Sequence, residues 1–99
     1  MRLTEIKPVL VKEFPKWPEE FKEGEIYVKN DGPYRGSFHL CPCGCGEPVY
    51  LEYGPRYWDL KLRFDGDKAE SITVSPSIYT PDYKCQSHYF IRDNKIVWV

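Results

Sequence analysis

Trp58-Asp59-Leu60-Lys61-Leu62-Arg63-Phe64-Asp65 is the clearest strand signal in the chain. Apolar residues at 58, 60, 62 and 64 alternate with charged residues at 59, 61, 63 and 65, which is the period-2 pattern of a strand with one buried face. Asp65-Gly66-Asp67 supplies the turn that follows, and Ser71 to Ser75, carrying Ile72 and Val74, reads as the antiparallel partner. Further along, Tyr89 to Arg92 and Lys95 to Val99 flank Asp93-Asn94, and asparagine tolerates the positive φ that a tight hairpin demands.

Upstream, Glu25 to Lys29 reads as a strand stopped by Asn30-Asp31-Gly32-Pro33, and Leu3 to Val11 as an edge strand carrying Pro8. Between them lies an irregular stretch around Pro15-Lys16-Trp17-Pro18, with one helical turn expected at Glu19 to Lys22. Arg35 to Leu40 and Pro48 to Tyr53 are extended runs on either side of a cysteine cluster, which places that cluster at a hairpin tip. Short runs separated by Gly, Pro, Asn and Asp, with no internal repeat, predict an all-β chain. A small, antiparallel, zinc-ribbon-like sheet built from hairpins is the expected form, as a single domain over residues 1–99.

Size and composition narrow the possibilities. A chain of 99 residues buries only about 60 to 65% of the surface its unfolded form exposes, enough for one core. Aromatic residues make up 16% and supply much of the apolar area. The formal net charge of -1 leaves no basic stripe for phosphates, so nucleic acid is a disfavoured partner. The opening Met1-Arg2-Leu3-Thr4-Glu5-Ile6-Lys7-Pro8 has no apolar signal-peptide core, and no apolar run approaches the roughly 20 residues of a membrane span. A cytoplasmic location is expected, and there four cysteines point to metal or catalysis in preference to disulfides.

The cysteines fall into two groups, Cys41-Pro42-Cys43-Gly44-Cys45-Gly46 and Cys85-Gln86-Ser87-His88. Tetrahedral zinc binds sulfur at about 2.3 Å and nitrogen at about 2.0 Å, so neighbouring ligand atoms must lie within roughly 4 Å of one another. Alternate residues of a straight strand are about 6.6 Å apart, so Cys41, Cys43 and Cys45 share an ion only if the backbone turns. Pro42, Gly44 and Gly46 permit that turn. The candidate ligands are Cys41, Cys43, Cys45, Cys85 and His88, five residues for four positions. Two of the clustered cysteines would complete a Cys3His set for one Zn2+, the choice among them staying open. The third would be a nearby thiol, an alternative ligand or a reactive group. His39, two residues before the cluster, reads as a hydrogen-bonded or surface histidine that could also replace or orient a ligand.

Taken together, Phe38-His39-Leu40-Cys41-Pro42-Cys43-Gly44-Cys45-Gly46, Ser75-Pro76-Ser77-Ile78, Cys85-Gln86-Ser87-His88-Tyr89-Phe90-Ile91 and Ile96-Val97-Trp98 resemble a bacterial and phage domain-of-unknown-function family. Its pattern is His-Leu-Cys-x-Cys-Gly-Cys-Gly, Pro-Ser-Ile and Cys-x-Ser-His-Tyr-x-Ile. The resemblance covers about residues 24–99 and implies a metal-binding protein. Some members are encoded beside genes for ubiquitin-activating-like enzymes, multi-ubiquitin-like domains and JAB-type peptidases, which implies an accessory role in a bacterial ubiquitin-like conjugation system. Asp93-Asn94 replaces the family's usual glycine before the final strand, and residues 1–23 carry none of the motif.

Three functions compete. The cysteine pattern favours a non-enzymatic, zinc-stabilised module whose partner is another protein, because closed four-ligand sites are structural. A thiol-dependent enzyme would use the spare cysteine near His39 as a nucleophile, toward a ubiquitin-like thioester for example. A zinc hydrolase would need an open coordination position and a base, yet no His-Glu-x-x-His is present, and Glu47 and Glu52 read as solvated. Stacking of nucleic-acid bases on Tyr34, Tyr50, Tyr53, Tyr57 and Trp58 competes with the ordinary use of strand aromatics as cross-strand pairs. Ser77 and Thr80 border Pro76 and Pro81 and read as turn residues.

Overall fold

Strand alternation needs a second layer to cover the apolar face it creates, and the computed structural model shows how this chain provides one. It describes residues 2–33 and 35–99, so Tyr34, weighed above for stacking, lies outside the described residues. The elements are β1 (Lys7–Leu10), β2 (Glu25–Lys29), β3 (Arg35–Leu40), β4 (Pro48–Tyr53), β5 (Asp59–Asp65), β6 (Lys68–Tyr79), β7 (His88–Arg92) and β8 (Lys95–Trp98). There is no helix among the described residues, so none is long and apolar enough to cross a membrane. The helical turn expected near Glu19 is a hydrogen-bonded turn in which the Glu20 N–H donates to the Lys16 carbonyl at 2.8 Å. Pro15 and Pro18 leave too few residues there to nucleate a helix.

The all-β expectation holds, but the hairpins are divided between two four-stranded sheets, β1-β2-β3-β4 and β5-β6-β7-β8. One core joins them, with Ile26, Val28, Val49 and Leu51 from the first and Ile72, Val74, Ile78, Tyr89, Ile91 and Ile96 from the second. β1 pairs parallel to β2, since residues 11–24 are long enough to carry the chain back for a parallel crossover. That connection covers the outer face of the first sheet, where Phe14 meets Phe38 edge-on at 4.9 Å and Phe21 lies 5.3 Å from Tyr27. Ahead of β1 the chain runs beside β8, with the Ile96 N–H on the Thr4 carbonyl at 2.9 Å and the Ile6 N–H on the Asn94 carbonyl at 2.9 Å. The N-terminal segment therefore ties the two sheets together.

The β7–β8 hairpin turns on Asp93 and Asn94 at φ 48° and 67°, the left-handed pair of a type I′ turn. β6 lies between β5 and β7. It pairs with β5 as far as Ser75 and with β7 at Val74, Ile78 and Tyr79, and its register against β7 shifts between Val74 and Ile78. Pro76, which has no N–H to offer a ladder, falls within that shift.

His39 and Tyr89 bridge the sheets. Both are 0% exposed, and His39 Nε2 lies 2.7 Å from the Tyr89 hydroxyl, while Nδ1 is buried without a partner. Burial holds the imidazole neutral, down to about 3, so His39 is a hydrogen-bonded core residue. Tyr89→Phe leaves both ring nitrogens unpaired and is expected to cost about 1 to 3 kcal/mol, read as a lower urea midpoint at unchanged slope.

Candidate functional site

The β3–β4 hairpin closes at Leu40↔Pro48, and the Cys41 N–H donates to the Glu47 carbonyl at 2.8 Å. Inside that loop the chain reverses tightly. The Gly44 N–H reaches the Cys41 carbonyl at 3.1 Å, and Gly44 and Gly46 take φ of 92° and 84°, where a Cβ would be strained. Cys41, Cys43 and Cys45 thereby face one point, and the turn before β7 brings Cys85 to it. All four sulfurs lie within 4.8 Å of one another.

A tetrahedron of sulfurs about 2.3 Å from a metal has edges of roughly 3.8 Å. The observed separations are 3.5 Å for Cys41–Cys43, 3.7 Å for Cys41–Cys85 and 3.8 Å for Cys45–Cys85. The four cysteines therefore fit a metal ion, and no cysteine is left over. Ser87, 4% exposed, places its hydroxyl 3.3 Å from the sulfurs of both Cys41 and Cys85. Burial pushes the Cys41 thiol up to about 12. At Cys85 burial also works upward, but hydrogen bonds from the Ser87 side chain, Cys43, the Ser87 main chain and Cys41 outweigh it and bring the thiol down to about 6.

His88, the fifth expected ligand, is outside this group. Gln86, at φ 45°, turns the chain between Cys85 and His88, and His88 opens β7. Alternation in β7 sends Tyr89 and Ile91 into the core and His88 to the outer face. A Cys3His set is thus replaced by four sulfurs, because the face of the strand, and not the two-residue gap, sets where the imidazole points. His39 is likewise engaged with Tyr89. His88→Ala is accordingly expected to retain the full metal content, whereas Cys43→Ser or Cys85→Ser lowers it, as read by elemental analysis of the purified variants.

On that outer face His88 meets Ser77. The register pairs His88 with Tyr79, and Ser77, two residues along β6, is its diagonal neighbour. His88 Nε2 lies 2.9 Å from Ser77 Oγ, both residues half-buried, and the Tyr79 ring stands 5.2 Å from the imidazole. Thr80 fixes the approach. Its N–H donates to the Ser87 carbonyl at 2.9 Å, and its hydroxyl accepts the Ser87 N–H at 3.0 Å. A hydroxyl hydrogen-bonded to an imidazole is the elementary arrangement for serine nucleophilic chemistry. Ser77 was read from sequence as a turn residue, although Pro-Ser-Ile is a motif segment that contains no metal ligand, which was the available signal.

Comparison with known proteins gives one informative result. Neither the curated proteins nor the solved structures yield a match. A family described as bacterial ubiquitination-like system serine protease (BubE) matches residues 11–99, nearly the whole chain and including both the cysteine cluster and the Ser77/His88 pair. The chain belongs to this BubE family.

Proposed function

We propose that the chain is a serine hydrolase that cleaves peptide or isopeptide bonds of a ubiquitin-like protein in a bacterial ubiquitination-like system, with Ser77 as nucleophile and His88 as general base. The observation that carries this reading is the 2.9 Å contact between Ser77 Oγ and His88 Nε2 on an accessible sheet face. The family's description as a serine protease supports it.

In the reaction His88 Nε2 takes the Ser77 proton as Oγ attacks the scissile carbonyl carbon. The imidazolium then returns that proton to the leaving amine as the C–N bond breaks, leaving an acyl ester on Ser77. A water molecule, deprotonated by His88, attacks the ester, and the carboxylate departs as Oγ regains its proton. The cluster holds zinc in this reading, because four thiolates suit Zn2+ and close its coordination sphere. Zinc supplies structural cross-linking there. The chain's own residues carry the effect to the reacting groups: Ser87 touches two of the sulfurs, is clamped by Thr80, and immediately precedes His88. A closed four-sulfur site would serve a non-catalytic interaction module equally well, and the serine–histidine contact is what separates the two. The working compartment is the cytoplasm, where thiols stay reduced, and the partner is a protein substrate.

An alkyl fluorophosphonate tests the nucleophile, since its phosphorus forms a bond to an activated serine oxygen with loss of fluoride. Mass spectrometry is expected to place one adduct on Ser77 in the wild-type protein and none in His88→Ala. An unmodified wild-type chain, folded and metal-loaded, overturns the assignment.

A further inference from the structure

The geometry points to a second component of the site: a groove beside Ser77 that takes the substrate as an extended polypeptide strand, hydrogen-bonded through its main chain to Tyr79 on one wall and Tyr50 on the other. This rests on Ser77 being the nucleophile.

The Tyr79 wall follows from the hydrogen-bond pattern of β6. The Thr80 N–H points toward β7, where it donates to the Ser87 carbonyl. Main-chain groups of successive residues alternate in direction, so Ile78 also faces β7 while Ser77 and Tyr79 face the opposite edge. The Ser77 carbonyl accordingly receives the Trp58 indole N–H from that side, at 3.4 Å. β5 covers this edge only as far as Ser75. Beyond it, no strand among the described residues pairs with the outward N–H and C=O of Tyr79.

The Tyr50 wall is built the same way. β4 is the edge strand of its sheet. On the side away from β3, the Glu52 carbonyl accepts the Trp58 N–H at 3.1 Å, and the Pro48 carbonyl accepts the Tyr83 hydroxyl. Tyr50 lies midway between them, so its N–H and C=O face the same side. Its ring is drawn across Gly36 on the outer face of the sheet, so close that a Cβ on Gly36 would meet a ring carbon at 2.9 Å. What Tyr50 offers the groove is therefore its backbone.

Both edges line one open groove of about 190 Å³, bounded by Trp58 and Tyr83. That volume is below the roughly 300 to 1,000 Å³ of small-molecule sites, and the main-chain groups left over on the two edges, those of Tyr79 and Tyr50, are of the kind an added strand satisfies. Proximity along β6 argues for the occupant. Tyr79 is two residues from Ser77, and the Trp58 indole on the Ser77 carbonyl closes the edge there, so a strand bound at Tyr79 ends beside the nucleophile. Recognition through the main chain, in a groove this narrow, selects an extended segment with small side chains.

The test uses the metal-loaded full chain and three probes: an alkyl fluorophosphonate, a trialanine diphenyl phosphonate, and that tripeptide with its middle amide nitrogen methylated. Each phosphonate bonds to the serine oxygen with loss of phenol. The tripeptide is expected to label Ser77 about fivefold faster than its N-methylated form, because the one backbone hydrogen bond removed is worth on the order of a kcal/mol. The Tyr50 and Tyr79 amides are expected to exchange with solvent deuterium more slowly in the tripeptide adduct. Labelling of Ser77 by the alkyl probe, with equal rates for the two tripeptides and unchanged exchange, overturns the groove and leaves the nucleophile standing. No labelling by the alkyl probe overturns both.

Discussion

Ser77→Ala is expected to reduce release of a C-terminal extension from a ubiquitin-like protein of the system on the order of 10³-fold or more, at unchanged thermal stability and metal content. The magnitude follows from removing the atom that forms the acyl bond, which no neighbouring hydroxyl can replace from its place in the sheet. Ser87, the other serine near His88, is buried against Cys41 and Cys85. Stability should hold because Ser77 is on the outer face and contributes nothing to the apolar core. His88→Gln provides the companion measurement: it keeps a polar side chain against Ser77 but cannot accept the proton, and a loss of about 10² to 10⁴-fold is expected for a general base. Cleavage is followed by mass spectrometry, with circular dichroism melts on the same preparations. A Ser77→Ala protein that cleaves at the wild-type rate ends the serine hydrolase reading.

Removal of the metal should have the largest effect on stability. Apparent binding free energies of structural zinc are about 10 to 16 kcal/mol, against about 5 to 15 kcal/mol of net stability for a whole domain. The cluster joins the β3–β4 tip to the turn before β7, and Cys41 is only 1% exposed. Without the ion its thiol remains buried, and the cross-link between positions 41 and 85 is gone. Cys41→Ser, or chelation of the wild-type protein, is therefore expected to abolish the cooperative thermal transition or to lower its midpoint by tens of degrees. Readdition of zinc should restore the chelated wild-type protein and not the variant. An unchanged melt in protein shown to be metal-free would refute a structural role for the cluster. The two experiments separate cleanly, since Ser77→Ala alters rate at constant stability and Cys41→Ser alters stability first.

Much of the fold was legible in the residues themselves. Period-2 alternation marked β5, the Asp93-Asn94 turn marked the β7–β8 hairpin, and glycines around three closely spaced cysteines marked a bent tip able to gather sulfurs. Each of these is a local property, fixed by side-chain alternation or by the φ that a residue tolerates. The partition of the strands into two sheets was not local, because identical alternation serves one sheet or two. It depends on the N-terminal segment running along β8 before joining β2. The four cysteines were among the five expected ligands, but the place of His88 escaped the sequence: Cys85 and His88 are separated by a gap that suits a shared metal, and only the start of β7 at His88 turns the imidazole to the opposite side. Ser77 was the least legible residue of all. Its one signal was to lie in a motif segment without a metal ligand, and local chemistry does not separate a turn serine from a nucleophile, since the property that matters is 2.9 Å from a histidine eleven residues away, across a strand pair whose register shifts near Pro76. Strands, turns and the sulfur cluster are local and could be read from the residues, while the face on which each side chain emerges, and hence which histidine stands beside Ser77 and which beside Tyr89, was decided by tertiary pairing.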